Sequence, residues 1–191
     1  MKSIKTERLM LRPWLESDLL DMYEYTKDRR VTMASSAKPH ESIEEAKKLL
    51  DMIIKREGWY ESGESRAIVL KSENKVVGGI SIAPYKPKDS PAHLVEKILG
   101  FEINPAYWGQ GLAPEAAQAL IKDEFEQGSA DKLWLGHFNF NVKSKQVITK
   151  LGFKYAVTKP ANRPFYKGQK IELVGYTLTK EEWQDISSGE S

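Results

Sequence analysis

The residues with the clearest chemical potential lie in Asn104-Pro105-Ala106-Tyr107-Trp108-Gly109-Gln110-Gly111-Leu112-Ala113-Pro114-Glu115, where a β-rich run meets a helical one through two glycines. A strand-loop-helix entry aims consecutive backbone N–H groups at one point, and the helix dipole adds roughly half a positive charge there. Ala113, the expected N-cap of a helix opening at Pro114, has no side-chain acceptor, so the first amides lack the usual Ser, Thr or Asp partner. A phosphate could satisfy them, and so could water around a plain glycine turn. Glu115 favours the helix by itself and would repel an anion if it faced the loop. Other phosphate motifs fail. No Gly-Lys dipeptide exists to make a P-loop, and Gly109-Gln110-Gly111 is followed by Pro114 where a dinucleotide fingerprint needs its third glycine. Asn141 and Ser144, three apart at a helix start, share one face and serve either as a cap and a buried serine or as ligand contacts. His40, His93 and His137 lack metal-ligand spacing, and packing or surface roles are expected. His137 is the one placed near a reacting group.

The elements that must position these groups follow from periodicity. Arg8 to Arg12 alternates as a strand before Pro13, and Ser17-Asp18 caps a helix over Leu19 to Tyr25. Ser42-Ile43-Glu44-Glu45 is a capping box leading a helix that carries Ala46, Leu49, Leu50, Ile53 and Ile54 and ends near Gly58. Arg66 to Lys71 and Lys75 to Ile82 form a hairpin, with Gly78-Gly79 marking a bulge or a close backbone approach. A strand from Leu94 to Asn104 ends at Pro105, and a helix from Pro114 turns Ala117, Leu120, Ile121 and Phe125 inward before Gly128. A strand at Leu133 to Phe138, a helix at Val142 to Leu151, and strands near Phe153 to Val157 and Ile171 to Thr179 complete a mixed α and β order. One domain over residues 1–183 is expected, with 184–191 as a flexible tail.

Composition bounds the function. The chain has 191 residues, no cysteine, and 29 basic against 27 acidic residues. Disulfides, thiolate ligands and a cysteine nucleophile are excluded, and a reducing compartment fits. A net charge of +2 lacks the concentrated basic excess of a nucleic-acid binder. No apolar run reaches the length of a spanning helix, and charge interrupts the start before any signal-like stretch. A cytoplasmic protein that needs neither metal nor membrane is expected.

Tyr107-Trp108-Gly109-Gln110-Gly111-Leu112-Ala113-Pro114-Glu115-Ala116 resembles the acetyl-CoA pyrophosphate loop of the GNAT N-acetyltransferase superfamily, in its ribosomal-protein alanine acetyltransferase (RimJ/RimL-like) branch. Thr6-Glu7-Arg8-Leu9-x-Leu11-Arg12 resembles that branch's opening strand, Val77-Gly78-Gly79-Ile80 its third strand, and Asn141-x-x-Ser144-x-x-Val147-x-x-Lys150-Leu151-Gly152-Phe153 its second cofactor motif. The resemblance implies a single α/β domain, a mixed, mostly antiparallel twisted sheet of about seven strands with helices on both faces. It implies acetyl-CoA as cosubstrate and a primary amine, on a protein N-terminus or a small molecule, as acceptor; monomer and homodimer both remain open. The amides of Gln110, Gly111, Leu112 and Ala113 would cradle the pyrophosphate, and the main chain of Glu102, Ile103 and Asn104 would pair with the pantetheine arm. Trp108, Asn141, Ser144, Val147 and Lys150 complete the expected cofactor contacts. Trp108 stands where many members carry Gln or Arg, and Ile148 where many carry a tyrosine general acid. Ser144, with water as the alternative, is then the donor to the leaving thiolate.

Transfer needs a neutral amine. At pH 7 deprotonating an α-amine costs roughly 1 to 1.4 kcal/mol, against about 4.6 kcal/mol for a lysine. Glu102, the carboxylate within an apolar strand leading into the loop, is the first candidate base; an outward-facing residue paired with Lys or Arg is the alternative. Glu96, six residues upstream on the same strand face, is the second. The oxyanion would fall to a main-chain N–H of this strand. The aromatics Trp14, Tyr23, Tyr25, Trp59 and Tyr60 suit packing, although the family's acceptor pocket is partly built from this third of the chain. The basic segment Lys159 to Lys170 is either a loop beside the acceptor mouth that favours acidic acceptors or a solvated hairpin. A catalytically silent acyl-CoA-binding module is the competing reading, motivated by Ile148.

Overall fold

In Ala67-Ile68-Val69-Leu70 successive side chains leave the strand on opposite sides, and all four are buried, Ile68 and Leu70 in one core and Ala67 and Val69 in another. A strand buried on both faces must lie inside a covered sheet. The computed structural model describes residues 1–35, 37–58, 61–161 and 170–189. Trp59 and Tyr60, and most of the 159–170 segment, fall outside them. In chain order the elements are β1 (Ile4–Lys5), β2 (Leu9–Pro13), α1 (Leu19–Thr26), α2 (Arg29–Ser35), α3 (Ile43–Lys55), β3 (Glu64–Leu70), β4 (Lys75–Pro84), β5 (Glu96–Ile103), α4 (Leu112–Gln127), β6 (Lys132–Phe138), α5 (Val142–Lys150), β7 (Lys154–Ala161), β8 (Ile171–Thr179) and α6 (Lys180–Ser188).

The strands form one sheet ordered β1-β2-β3-β4-β5-β6-β8-β7, antiparallel throughout except between β5 and β6. One face is covered by α4 and α5, whose Leu112, Ala116, Leu120, Ile121, Phe125 and Ile148 join Leu9, Leu11, Ile68 and Leu133 in the larger core. The other carries α1, α2 and α3, with Met22, Tyr25, Val31, Leu50 and Ile53 against Trp14, Ala67, Val69 and Val76. This α/β architecture has the expected form, with an eighth strand added by the two-residue β1.

Gly78-Gly79 marks a close backbone approach, and the bulge falls beside it, at Val77. The β3–β4 register shifts at Ile68/Val69, and a Cβ on Gly78 would stand 2.2 Å from the Glu102 carbonyl oxygen, so β4 and β5 approach too closely for any side chain there. Two helices were not expected. α2 has only seven residues, with β-branched Val31 and Thr32 inside it, which leaves little periodicity to detect. α6 (Lys180–Ser188) takes in residues 184–188 of the 184–191 segment expected as a tail; its Thr179–Glu182 capping box was readable in the sequence. At α3 only half the expected box forms. Ser42 accepts from the Glu45 N–H, whereas the Glu45 carboxylate accepts from Glu41 N.

The feature that positions the site is where the sheet comes apart. β5 pairs with β4 as far as Ile103–Gly78, but with β6 only across Glu96–Lys132, Lys97–Leu133 and Ile98–Trp134. Beyond Ile98 the strands diverge. Asn104 N donates to Val77 O at 2.8 Å, so in this alternating ladder the even-numbered residues of β5 turn their peptide groups toward β4. Leu99, Phe101 and Ile103 turn theirs toward the gap.

Candidate active site

The loop after β5 presents its amides as the residue types require. α4 begins at Leu112, two residues earlier than expected, and its N-cap is Gly111 at φ 76, with Gly109 at φ 78. Both lie in the left-handed region that glycine enters without penalty. The first intrahelical bond runs from Glu115 N to Gly111 O (3.2 Å), so the amides of Leu112 and Ala113 precede the helical ladder and Pro114 has none. No side chain caps this end, and a Cβ on Gly109 would meet nothing within 4 Å, so the approach is open. Glu115 does not face the loop. Its Oε1 accepts from Thr6 Oγ1 (2.5 Å) and Arg8 N (3.0 Å), and its Oε2 from Arg8 Nε (2.7 Å). Against the upward pull of burial, Thr6 and Arg8 hold this carboxyl below its ordinary range. Arg8 Nη1 also donates to Gln110 O at 2.8 Å, fastening β2 to the loop.

The loop opens on a cleft of about 730 Å³ between the parted strands, the size of a small-molecule site. Glu102, Ile103, Trp108, Gly111, Leu112, Ala113, Asn141, Ser144, Val147 and Lys150 all line it. Asn104 and Gln110 do not. Asn104 spends its polar groups inside the protein: N to Val77 O, Nδ2 to Glu24 Oε1 (2.9 Å), and Oδ1 from Ala106 N (3.0 Å). The Glu102 peptide likewise points to β4, so Ile103 is the one of the three expected main-chain partners that faces the gap. Its carbonyl accepts from Trp108 Nε1 at 2.8 Å, which leaves its N–H. Gln110 borders a smaller pocket beside Arg8. Asn141 caps α5 by accepting from Ser144 N at 3.1 Å. Ile148 is fully buried in the core, so no acid can act from that position. The Trp108 ring is flanked by Lys143, with Nζ 3.8 Å from its centroid, and by Arg30 at 5.7 Å.

Glu102 faces the α1–α3 side, opposite Gly79. A Cβ placed on Gly79 would lie 3.6 Å from Glu102 Oε1, 3.7 Å from the Tyr25 hydroxyl and 3.1 Å from the Trp14 ring, so the three converge. Although Glu102 keeps some accessible surface in the cleft, burial of its carboxyl raises its pKa to about 7, and contact with the Tyr25 hydroxyl offsets part of that rise. The ion-paired surface alternative for Glu102 does not apply. Glu96 is excluded from the site. It lies where β5 and β6 are still paired, accepting from Ser90 Oγ and Trp134 Nε1. His137 does not line the cleft either; it is buried with Nδ1 2.8 Å from Phe138 O and Nε2 3.2 Å from the Tyr176 hydroxyl. Sequence reasoning missed Arg30, Val31 and Ala34, which line the cleft from the unexpected α2, and Tyr25, read there as packing.

An acetyltransferase (GNAT) domain model matches residues 8–154, and this decides the family. The chain belongs to the GNAT acetyltransferase family. It is 24% identical over 186 residues to the uncharacterized N-acetyltransferase p20 of Bacillus licheniformis, covering 96% of this chain and 99% of that protein. A GNAT-family acetyltransferase from Bacillus anthracis has the same fold (TM-score 0.80, 23% identity, 95% of this chain and 100% of that one). So does RimL, a ribosomal L7/L12 α-N-protein acetyltransferase solved with coenzyme A (TM-score 0.73, 18% identity, 95% and 99%). Acetyl transfer is the chemistry of the GNAT family to which this chain belongs.

Proposed function

We propose that this GNAT enzyme moves an acetyl group from acetyl-CoA to a primary amine by direct attack in a ternary complex. The observation that carries the reading is a carboxyl with pKa near 7 on the cleft floor, where β5 has left β6 and is followed by a loop with free amides. Acetyl-CoA supplies the activated thioester. The amides of Gly111, Leu112 and Ala113 suit its diphosphate, and the Ile103 N–H and the Phe101 peptide, facing the gap, suit the amide groups of its arm. Lys143 and Lys150 add positive charge at the cleft wall. Glu102 takes a proton from the bound ammonium and passes it to solvent; the neutral amine then attacks the thioester carbonyl, the tetrahedral adduct loses its second N–H proton to solvent, and as the C–S bond breaks Ser144 gives a proton to sulfur and regains one from solvent. The absence of cysteine supports a cytoplasmic setting, and the Thr6-to-Arg12 motif supports the RimJ/RimL-like branch, in which the amine would be a protein N-terminus or a small-molecule amine.

The test is CoA release with acetyl-CoA and a panel of amines. Amine-dependent turnover is expected, and Glu102→Gln should lower kcat by about 100-fold or more while acetyl-CoA still binds. Bound acetyl-CoA without turnover on any amine would leave the silent-module reading instead.

A further inference from the structure

Around Glu102 the sheet carries almost no side-chain volume. Its cross-strand partner is Gly79, the next pair on that face is Ser81 with Gly100, and Ser65 opposes Ser81 from β3. Facing this floor are Trp14 after β2, Val31 and Ala34 of α2, and Leu49 and Ile53 of α3, all lining the same cleft. Small floor residues under apolar walls leave a chamber rather than a packed core. Glu102 is the one acid among the described residues lining the cleft, whereas Arg30, Lys143 and Lys150 are cations. Arg30 is already paired, 2.6 Å from Asp28.

We infer that the acceptor is a primary amine carried on a compact apolar group and bearing no second positive charge; this rests on the transfer reading above. The chamber can neutralise one ammonium, at Glu102. A second would sit against aliphatic and indole walls with no carboxylate to meet it, and burying an unpaired charge is strongly unfavourable. An apolar tail of similar length gains by leaving water.

Matched acceptors isolate this property. The free-amine arm compares n-pentylamine with 1,4-diaminobutane, which differ in a terminal methyl against an ammonium, and the peptide arm compares leucyl-diglycine with lysyl-diglycine. Each apolar member should exceed its cationic partner at least tenfold in kcat/KM in whichever arm is accepted, and the accepted arm tells whether the apolar group belongs to a free amine or to a peptide's first residue. Ala34→Asp places a carboxylate in the chamber and should narrow that ratio severalfold. Gly100→Val is tolerable because the strand backbone there is ordinary and a Cβ would meet only Ser81 Oγ, at 3.2 Å. It should depress n-pentylamine turnover while sparing ethylamine. Equal or better use of the dications overturns this inference and leaves N-acetyl transfer intact; no turnover on any acceptor, with acetyl-CoA bound, overturns both.

Discussion

The proposed mechanism concentrates its chemistry in one side chain, Glu102, whose protonation makes the reading measurable. With a folded pKa near 7, the deprotonated fraction falls about tenfold per pH unit below that value, so kcat/KM for the amine should climb through an acid limb centred near pH 7. Glu102→Gln should abolish that limb. Tyr25→Phe, which removes the group that pulls the pKa down, should move the limb to higher pH. Stability carries the same signature. A carboxyl whose folded pKa is raised contributes fully below its unfolded value, near 4.5, and loses that contribution as pH rises through about 7. Relative to wild type, Glu102→Gln should therefore be near neutral in stability at pH 4 and more stable above pH 7, by on the order of 3 kcal/mol. A denaturant titration at both pH values reads the difference, and an unchanged offset would contradict the raised pKa. Glu102 was legible in the sequence as the one acid in the apolar run from Ile98 to Ile103. What separates it from Glu96 was not. Six residues span roughly 20 Å of strand, so the two share a face yet occupy different surroundings, one in the opened gap and the other under Trp134.

At the level of elements, the fastening of the loop to β2 joins two motifs that the sequence shows only separately. Thr6-Glu7-Arg8 and Ala113-Pro114-Glu115 are each visible, but the bonds between Arg8 and Glu115 cross 107 residues and no local pattern encodes them. Because Glu115 and Gln110 O both hold the guanidinium, Arg8→Ala should loosen the amide cradle without touching the base. Steady-state kinetics should show the acetyl-CoA KM rising about threefold to tenfold with kcat within about twofold. A fall in kcat at unchanged KM would assign Arg8 a different role. The helix entry was legible in the sequence and misplaced by two residues, since Pro114 is favoured in any first-turn position and nothing in the sequence says which. α2 escaped because seven residues give too few turns for periodicity, yet it supplies a wall of the cleft.

For the molecule as a whole, the order of strands and helices other than β1, α2 and α6 was readable from alternation, caps and glycines, and the order of four motifs was enough to give the fold. The parting of β5 from β6 was not. A strand's sequence states that it is buried, not for how many residues a neighbour accompanies it: after Ile98, β5 stays paired with β4 and β6 with β8 while β5 and β6 separate. That divergence creates the cleft, sets the peptides of Phe101 and Ile103 facing it, and places Glu102 at its floor with the amide cradle at one end. The account therefore stands on a diphosphate held by peptide nitrogens at the start of α4. A crystal structure of the protein with CoA tests it most directly: the diphosphate oxygens should lie within hydrogen-bond distance of the amides of Gly111, Leu112 and Ala113, with the arm running along the open edge of β5, whereas a diphosphate bound elsewhere, or that helix end closed by its own side chains, would contradict it.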